Sequence, residues 1–295
     1  KMNLDTNQIK LQSILDLCEN VAKADVLRLD LIHPIISGNK WFKLKYQIEE
    51  ANALKHTTIA TFGGAYSNHI VATAFACNTL GLNSIGYIRG EEPKSFSHTL
   101  QQAVSFGMQL KFLSREDYKE KEKIKLAGNN FYWIEEGGYS ILGAKGASEI
   151  LQQVDTSEYS HILCSCGTGT MMAGLITAAL PHQTTIGFSA LKGNFELEEN
   201  ILKIIPDASE NKPYKIIHDY HFGGYAKQTK ELIRFMNFIY NKTQVPTDFV
   251  YTSKLIYGVI DLCNQSYFSK VSKLLIIQSG GLQGNLSLPN GTLSF

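Results

Sequence analysis

Read from its amino end, the chain places Ile9, Ile14, Leu17, Cys18 and Val21 at spacings that share one side of a helix, so an opening amphipathic helix is expected over about residues 6–24. A period-two segment follows, in which Leu27, Leu29 and Leu31 alternate with Arg28 and Asp30 until His33-Pro34 breaks it. Ser37-Gly38-Asn39 then offers turn and N-cap chemistry, which puts Lys40 in the first turn of a new helix. Further strands are expected near residues 58–62, 84–89, 109–113 and 131–134, and again near 161–165, 185–191, 214–218 and 274–278, with helical stretches between them. Such alternation implies an α/β fold with open parallel sheets covered on both faces. There is no internal repeat, low-complexity tract or long linker, so two domains would have to pack intimately. The crossing points are expected at the helix after Lys40 and in the glycine-rich stretch 137–146. The smaller domain, 46–154, is then inserted into a larger one made of 1–45 and 155–295.

Composition narrows the function classes. A chain of 295 residues with 44% hydrophobic and 19% charged residues can build an ordinary core, and a net charge of +1 provides no basic field for nucleic acid. Small molecules are the expected partners. No apolar run approaches the ~18–20 residues of a membrane span, and residues 1–10 contain no signal-peptide core, so no membrane partner and a cytoplasmic location are expected. Lys1 ahead of Met2 reads as an added residue and enters no functional argument. The five cysteines (Cys18, Cys77, Cys164, Cys166, Cys263) are odd in number and form no C-x-x-C pair, which fits buried, reduced thiols. Cys164-Ser165-Cys166 has no second cluster to complete a four-ligand zinc site, so no metal is expected.

Candidate chemistry begins at Lys40 and Lys43, which share a helix face with β-carbons ~5–6 Å apart while Lys45 points elsewhere. Two neighbouring ammonium groups suit an anionic ligand, and each lowers the other's pKa toward the free amine a nucleophile requires. A lysine at a helix start is ordinarily solvated, so the weight falls on what the rest of the chain supplies. One loop, Phe62-Gly63-Gly64-Ala65-Tyr66-Ser67-Asn68-His69, leaves a strand for an apolar helix that Ser67 or Asn68 would cap. The free N–H groups of that helix attract a carboxylate or phosphate, although a plain strand–turn–helix has the same pattern and His69 alone reads as packed or solvated. A second loop, Cys164-Ser165-Cys166-Gly167-Thr168-Gly169-Thr170, has no P-loop lysine and misses the dinucleotide glycine spacing. No acidic residue closes the next strand either. A monophosphate held by backbone N–H and threonine hydroxyls remains, with Gly169 expected where the backbone approaches the ligand. Tyr225, in Phe222-Gly223-Gly224-Tyr225, and Tyr251, in Val250-Tyr251-Thr252-Ser253-Lys254, each lie beside small or hydroxyl residues at a helix start. They are either cleft-facing or ordinary rim aromatics. Ser279, ending Ile276-Ile277-Gln278-Ser279-Gly280-Gly281, offers a hydroxyl to a buried ring nitrogen.

Taken together, Gly-Asn-Lys-x-x-Lys-Leu, Gly-Gly-x-x-Ser-Asn-His, Gly-Thr-Gly-Thr and Tyr-Thr-x-Lys, in collinear order from Arg28 to Gly281, resemble the 1-aminocyclopropane-1-carboxylate deaminase/D-cysteine desulfhydrase family of pyridoxal-phosphate enzymes, fold type II. The resemblance implies pyridoxal 5'-phosphate as cofactor, a small amino-acid substrate and a homodimer. It makes Lys40 the lysine that binds the cofactor covalently and moves protons, and Lys43 its neighbour at the phosphate. Asn68 becomes the partner of the pyridine hydroxyl, Ser67, Asn68 and His69 the loop for the substrate carboxylate, and Gly167, Thr168, Gly169 and Thr170 the phosphate cradle. Tyr225 and Tyr251 flank the substrate, and Ser279 faces the pyridine nitrogen. Phe42, Ser253 and His69 depart from the arginine, glycine and glutamine found in many members. Thr252 stands where the deaminases proper carry glutamate after the second tyrosine, which leaves a weaker electron sink. The expected reaction is therefore β-elimination of D-cysteine or a similar D-amino acid to pyruvate, ammonia and sulfide. The alternative is cyclopropane deamination, a hydrolase by class, giving 2-oxobutyrate and ammonia. A silent pyridoxal-phosphate binder would keep Lys40 and the cradle without substrate groups, and a serine/threonine dehydratase or cysteine synthase relative would share the fold.

Overall fold

The computed structural model of the chain describes residues 4–127, 130–205 and 212–295. In chain order its elements are β1 (Leu11–Ser13), β2 (Lys23–Arg28), α1 (Asn39–Ala53), β3 (Thr58–Gly64), α2 (Asn68–Leu80), β4 (Asn83–Arg89), α3 (His98–Ser105), β5 (Gln109–Leu113), α4 (Lys121–Ala127) and β6 (Tyr132–Ile134). They continue as α5 (Ile141–Ser148), β7 (His161–Cys166), α6 (Thr170–Ala178), β8 (Thr184–Ser189), α7 (Leu197–Ile204), β9 (Tyr214–Ile217), α8 (Lys230–Thr243), α9 (Thr252–Asn264) and β10 (Lys273–Gln278). One sheet runs β1-β2-β10-β7-β8-β9 and the other β5-β4-β3-β6. Among these strands only β1 with β2 is antiparallel, so in each sheet the carboxyl ends of the parallel strands collect at one edge.

The apolar runs read as strands because both faces of each are covered. In β10, Leu275 and Ile277 enter a core with Leu27, Ile162 and Leu175 of α6, while Leu274 and Ile276 enter the opposite one with Val26, Ile186 and Val259 of α9. Each such fully buried side chain contributes about 1.5–3 kcal/mol relative to exposure. Small residues bring three helices together next to the site. A β-carbon on Gly146 would lie 1.7 Å from the Phe42 carbonyl oxygen, and one on Gly174 would lie 2.4 Å from that of Ala144, so α5 wedges between α1 and α6 at backbone distance.

Two expectations fail at the amino end. Residues 6–24 form no long helix. Short 3₁₀ turns at Thr6–Gln8 and Leu15–Leu17 bracket β1, and Ile14 N–H donates to the Ala24 carbonyl at 2.8 Å. Ile14, Cys18 and Val21 are buried as a helical pattern requires, but pairing with β2 presents them from extended and turn backbone. The alternating leucines also mislead, because the strand is Lys23–Arg28 and Leu29–Leu31 is a 3₁₀ turn. There Arg28 and Asp30 are both buried, donating and accepting at 2.8 and 2.7 Å. The expected 185–191 strand ends at Ser189, and the remaining strand expectations agree with the structure to within two residues.

Candidate active site

α1 starts against the end of β10. Gly38 has φ +63°, and a β-carbon there would sit 1.8 Å from the Ser279 carbonyl oxygen, the same oxygen that accepts Asn39 N–H at 3.1 Å. This contact sets Lys40 at the strand ends, half-buried, with Nζ donating to Asn39 Oδ1 at 2.8 Å. Burial lowers its amine to about 8, partly opposed by the negative charge of Asp248. Lys43 is 6% exposed, and burial together with the charge of Lys40 holds it well below an ordinary lysine. Among the described residues neither lysine forms an ion pair, whereas Lys45, on the other side of the helix, pairs with Glu149.

The α2 start lies opposite. Ser67 is the N-cap residue but its hydroxyl makes no capping bond. Asn68 Nδ2 donates to the Gly281 carbonyl at 3.3 Å, and its Oδ1 is buried without a partner. His69 is 3% exposed, and its tautomer follows from its neighbours. Thr61 Oγ1 donates its only hydrogen to the Ile134 carbonyl at 2.7 Å, so it accepts from His69 Nε2 at 2.8 Å. His69 Nδ1 is therefore a bare acceptor, buried and unpartnered. Burial and the charges of Lys43 and Lys40 push the ring far below an ordinary histidine, so it is neutral.

The Gly167–Thr170 turn joins β7 to α6. Thr168 and Thr170 hydroxyls lie 2.8 Å apart, and Gly169, φ +87°, occupies the N-cap of α6 without any side-chain cap. The unbonded N–H groups of that first turn favour an anion. Gly137, after β6, would place a β-carbon 2.8 Å from Thr168 Cγ2, and Gly138 would place one 3.2 Å from Lys43 Cβ, so this corner is closed by backbone. One expectation changes here. A β-carbon on Gly169 would meet Ile201 at 2.7 Å and Leu197 at 3.1 Å, so this glycine is required by its left-handed φ and by packing on α7. Gly167 instead faces the site, since a β-carbon there would lie 3.2 Å from the Tyr251 hydroxyl oxygen.

Tyr251 and Tyr225 meet edge to face, ring centroids 6.2 Å apart; burial raises the Tyr251 phenol well above an ordinary tyrosine, while Tyr225 is 42% exposed. Ser279 is buried with its Oγ 3.5 Å from Ser165 Oγ. The structure thus brings Lys40, Lys43, Asn68, His69, the 167–170 turn, Tyr225, Tyr251 and Ser279 to one cleft at the strand ends, with Ser67 joined through Asn68. Of the departures, Phe42 packs in the core with Met172 and Leu27, where an arginine would be buried, and Ser253 is fully buried with its hydroxyl unpartnered.

Sequence reasoning missed Asp248. Its Oδ1 accepts from Val250 and Tyr251 N–H at 2.9 and 2.8 Å, and its Oδ2 from Thr252 N–H and Oγ1 at 2.9 and 2.6 Å. It therefore staples the start of α9 and fixes Tyr251. An aspartate shortly before an apolar helical run is the N-cap signal that would have found it.

These groups fit pyridoxal phosphate. A lysine amine that is partly free near neutral pH lies beside a backbone anion cradle, an orphaned amide oxygen on Asn68 and two confronting phenols. That combination, at the carboxyl ends of parallel strands, defines a pyridoxal-phosphate enzyme. The chain belongs to the pyridoxal-phosphate dependent enzyme family, whose model matches residues 22–280. It is 29% identical over 287 residues to an Arabidopsis thaliana protein named bifunctional D-cysteine desulfhydrase/1-aminocyclopropane-1-carboxylate deaminase, mitochondrial, covering 84% of this chain and 70% of that one. It is 25% identical over 297 residues to the D-cysteine desulfhydrase of Salmonella typhi, covering 92% and 90%. A solved structure of a 1-aminocyclopropane-1-carboxylate (ACC) deaminase homologue superposes with TM-score 0.80 at 25% identity, covering 94% of this chain and 90% of that one. The protein is a pyridoxal-phosphate-dependent enzyme of the lyase/deaminase family. Among the described residues no helix is long and apolar enough to cross a membrane, and no cluster of potential metal ligands occurs.

Proposed function

We propose that the enzyme catalyses β-elimination from D-cysteine or a similar D-amino acid, releasing pyruvate, ammonia and sulfide. The observation that carries this reading is the hydroxyl-only end of the site. Ser279 faces Ser165, Thr252 Oγ1 is committed to Asp248, and all four donors around the Asp248 carboxylate leave it no free acceptor for a ring nitrogen. When bound, pyridoxal phosphate withdraws electrons from the substrate Cα. With no acid opposite its nitrogen, that pull suits expulsion of a thiolate better than cleavage of an unactivated ring carbon.

In this reading Lys40 Nζ binds the cofactor and carries the Cα proton, while Lys43 and the 167–170 turn hold the phosphate. Asn68 holds the cofactor's hydroxyl side, which its unpartnered Oδ1 and its Gly281 bond favour. The substrate carboxylate rests on the Ser67 hydroxyl and the first N–H groups of α2. His69 shapes that loop, because its Nε2–H is already given to Thr61 and its bare Nδ1 repels a carboxylate. Tyr225, at the exposed rim, and Tyr251, whose phenol burial raises well above the ordinary value, are both protonated near neutral pH and placed to supply a proton to the departing sulfur. A silent binder would have no use for two confronting phenols. The domain division into 1–45 with 155–295, and 46–154, belongs to the same proposal, as does a homodimeric working form.

The test is kcat/KM for D-cysteine and for 1-aminocyclopropane-1-carboxylate on one preparation, with sulfide, pyruvate and 2-oxobutyrate quantified. Sulfide with pyruvate is expected. Efficient 2-oxobutyrate release without sulfide would overturn the assignment in favour of the deaminase.

A further inference from the structure

The loop that carries Tyr225 is built against the preferences of its residues. Phe222, Gly223, Gly224 and Ala226 all have positive φ, at 50°, 90°, 121° and 53°, and two of the four are not glycine. Such backbone persists only where the surroundings over-determine it. Some restraint is local: His221 Nδ1 accepts Gly223 N–H at 2.9 Å, and Phe222 packs edge to face on Tyr257 with centroids 4.8 Å apart. Gly224 N–H also donates to the His221 carbonyl at 3.0 Å and Lys227 N–H to the Gly224 carbonyl at 3.3 Å, and a further restraint comes from the first turn of α9. Lys254 is 2% exposed, and its Nζ donates to the Gly224 carbonyl at 2.8 Å and the Ala190 carbonyl at 3.2 Å. Among the described residues it forms no ion pair, and burial lowers its amine to about 8 against the opposing charge of Asp248. An apolar side chain would fill this space without desolvating an amine, so what the nitrogen contributes lies in the two carbonyls it joins. One of them is fixed, because Ala190 continues β8 and its N–H donates to the Cys166 carbonyl at 3.0 Å. The other immediately precedes Tyr225.

We propose that Lys254 is a positioning residue, which bolts the Gly224 carbonyl to the end of β8 and so sets Tyr225 against Tyr251 across the mouth of the site. The proposal rests on the reading that Tyr225 serves the substrate, but its loop-clamping part is independent of which substrate that is. Like Asp248 with Tyr251, it makes α9 the element from which both phenols are placed.

The experiment compares wild type with Lys254→Met. Hydrogen exchange on the apoprotein should quicken by about 10-fold or more in peptides spanning 221–229, with those of β7 and β10 unchanged. With whichever of the two amino acids the wild type turns over, kcat/KM should fall by roughly 10–100-fold, as expected for a misplaced catalytic group. Affinity for pyridoxal phosphate should stay within about 2-fold, since no cradle contact is touched. In a Tyr225→Phe background the same substitution should cost less than about 3-fold, because two residues acting through one phenol are not additive. Lys254→Gln, which keeps two N–H donors on a shorter stem, should fall between wild type and Lys254→Met, and it carries the same measurements should Lys254→Met not fold. Unchanged exchange in the loop, or losses that multiply in the double variant, would overturn the proposal. If neither amino acid is turned over, the substrate reading fails by itself and the exchange result still decides the clamp.

Discussion

Replacing Asp248 by asparagine tests the staple at the start of α9. Asparagine retains the Oδ1 acceptor for Val250 and Tyr251 N–H but turns a donating Nδ2 toward Thr252, whose N–H and hydroxyl both donate to the native carboxylate. The hydroxyl can turn to accept from that Nδ2 beside the Asp248 N–H it already accepts at 2.8 Å, but Thr252 N–H can only donate and loses its partner. Each hydrogen bond to a charged group is worth about 1.5–3 kcal/mol, and a buried N–H left unpaired costs about 1–3 kcal/mol. Against this stands relief from burying a carboxylate, whose pKa desolvation raises. A net loss of about 3 kcal/mol follows, and with ~2.1 cal/mol/K per residue over 295 residues the melting temperature should fall by roughly 5 °C. Removing the negative charge also disfavours the Lys40 ammonium, so that amine should titrate below its native value of about 8. Calorimetry of the apoprotein at pH 7 reads the first effect, and the pH midpoint of cofactor attachment reads the second. An unchanged melting temperature would refute the staple, and an unmoved midpoint would refute the coupling of Asp248 to Lys40.

Two further predictions address the remaining parts of the site. Borohydride reduction of the holoenzyme followed by peptide mapping should place the cofactor on Lys40, and labelling of Lys43 would contradict the assignment. Because the Lys40 amine titrates near 8, it is about one-tenth free at pH 7, so attachment should accelerate as pH rises and level off above about 9. Gly38→Ala should prevent the normal juncture of α1 with β10, since its β-carbon would fall 1.8 Å from a backbone oxygen. The readout is lost soluble yield or, in any folded fraction, lost cofactor binding.

The parallel strands were legible because both their faces are covered, which turns them into short unbroken apolar runs such as Leu274 to Ile277. The glycine loops were legible because positive φ and close backbone approach leave no other residue, as at Gly38. The amino end was not, because Ile14, Cys18 and Val21 satisfy a helical period by coincidence of burial, while pairing with β2 overrides it. Within the site, residue types with one use, such as Lys40 beside Lys43, stood out in the sequence. Asp248 was passed over although it stands where an aspartate precedes a helical run, and Lys254 entered only as the last member of Tyr-Thr-x-Lys without a role, since its work is done on the backbone carbonyls of Ala190 and Gly224, which leave no pattern of residue types.

The placement of β10 between β2 and β7 has a consequence for the order of assembly. β2 pairs with it from Lys23–Lys273 to Arg28–Gln278, so the strand made first among the parallel set waits for the strand made last. Closing a loop of this size costs on the order of 5 kcal/mol in chain entropy before any contact repays it. A ribosome-bound chain that has not yet released residue 278 has no Ser279 carbonyl for Gly38 to meet, and Lys40 has no fixed surroundings. The reactive amine is created only when β10 closes on β2, and a chain not yet extended that far offers the cofactor only an ordinary lysine.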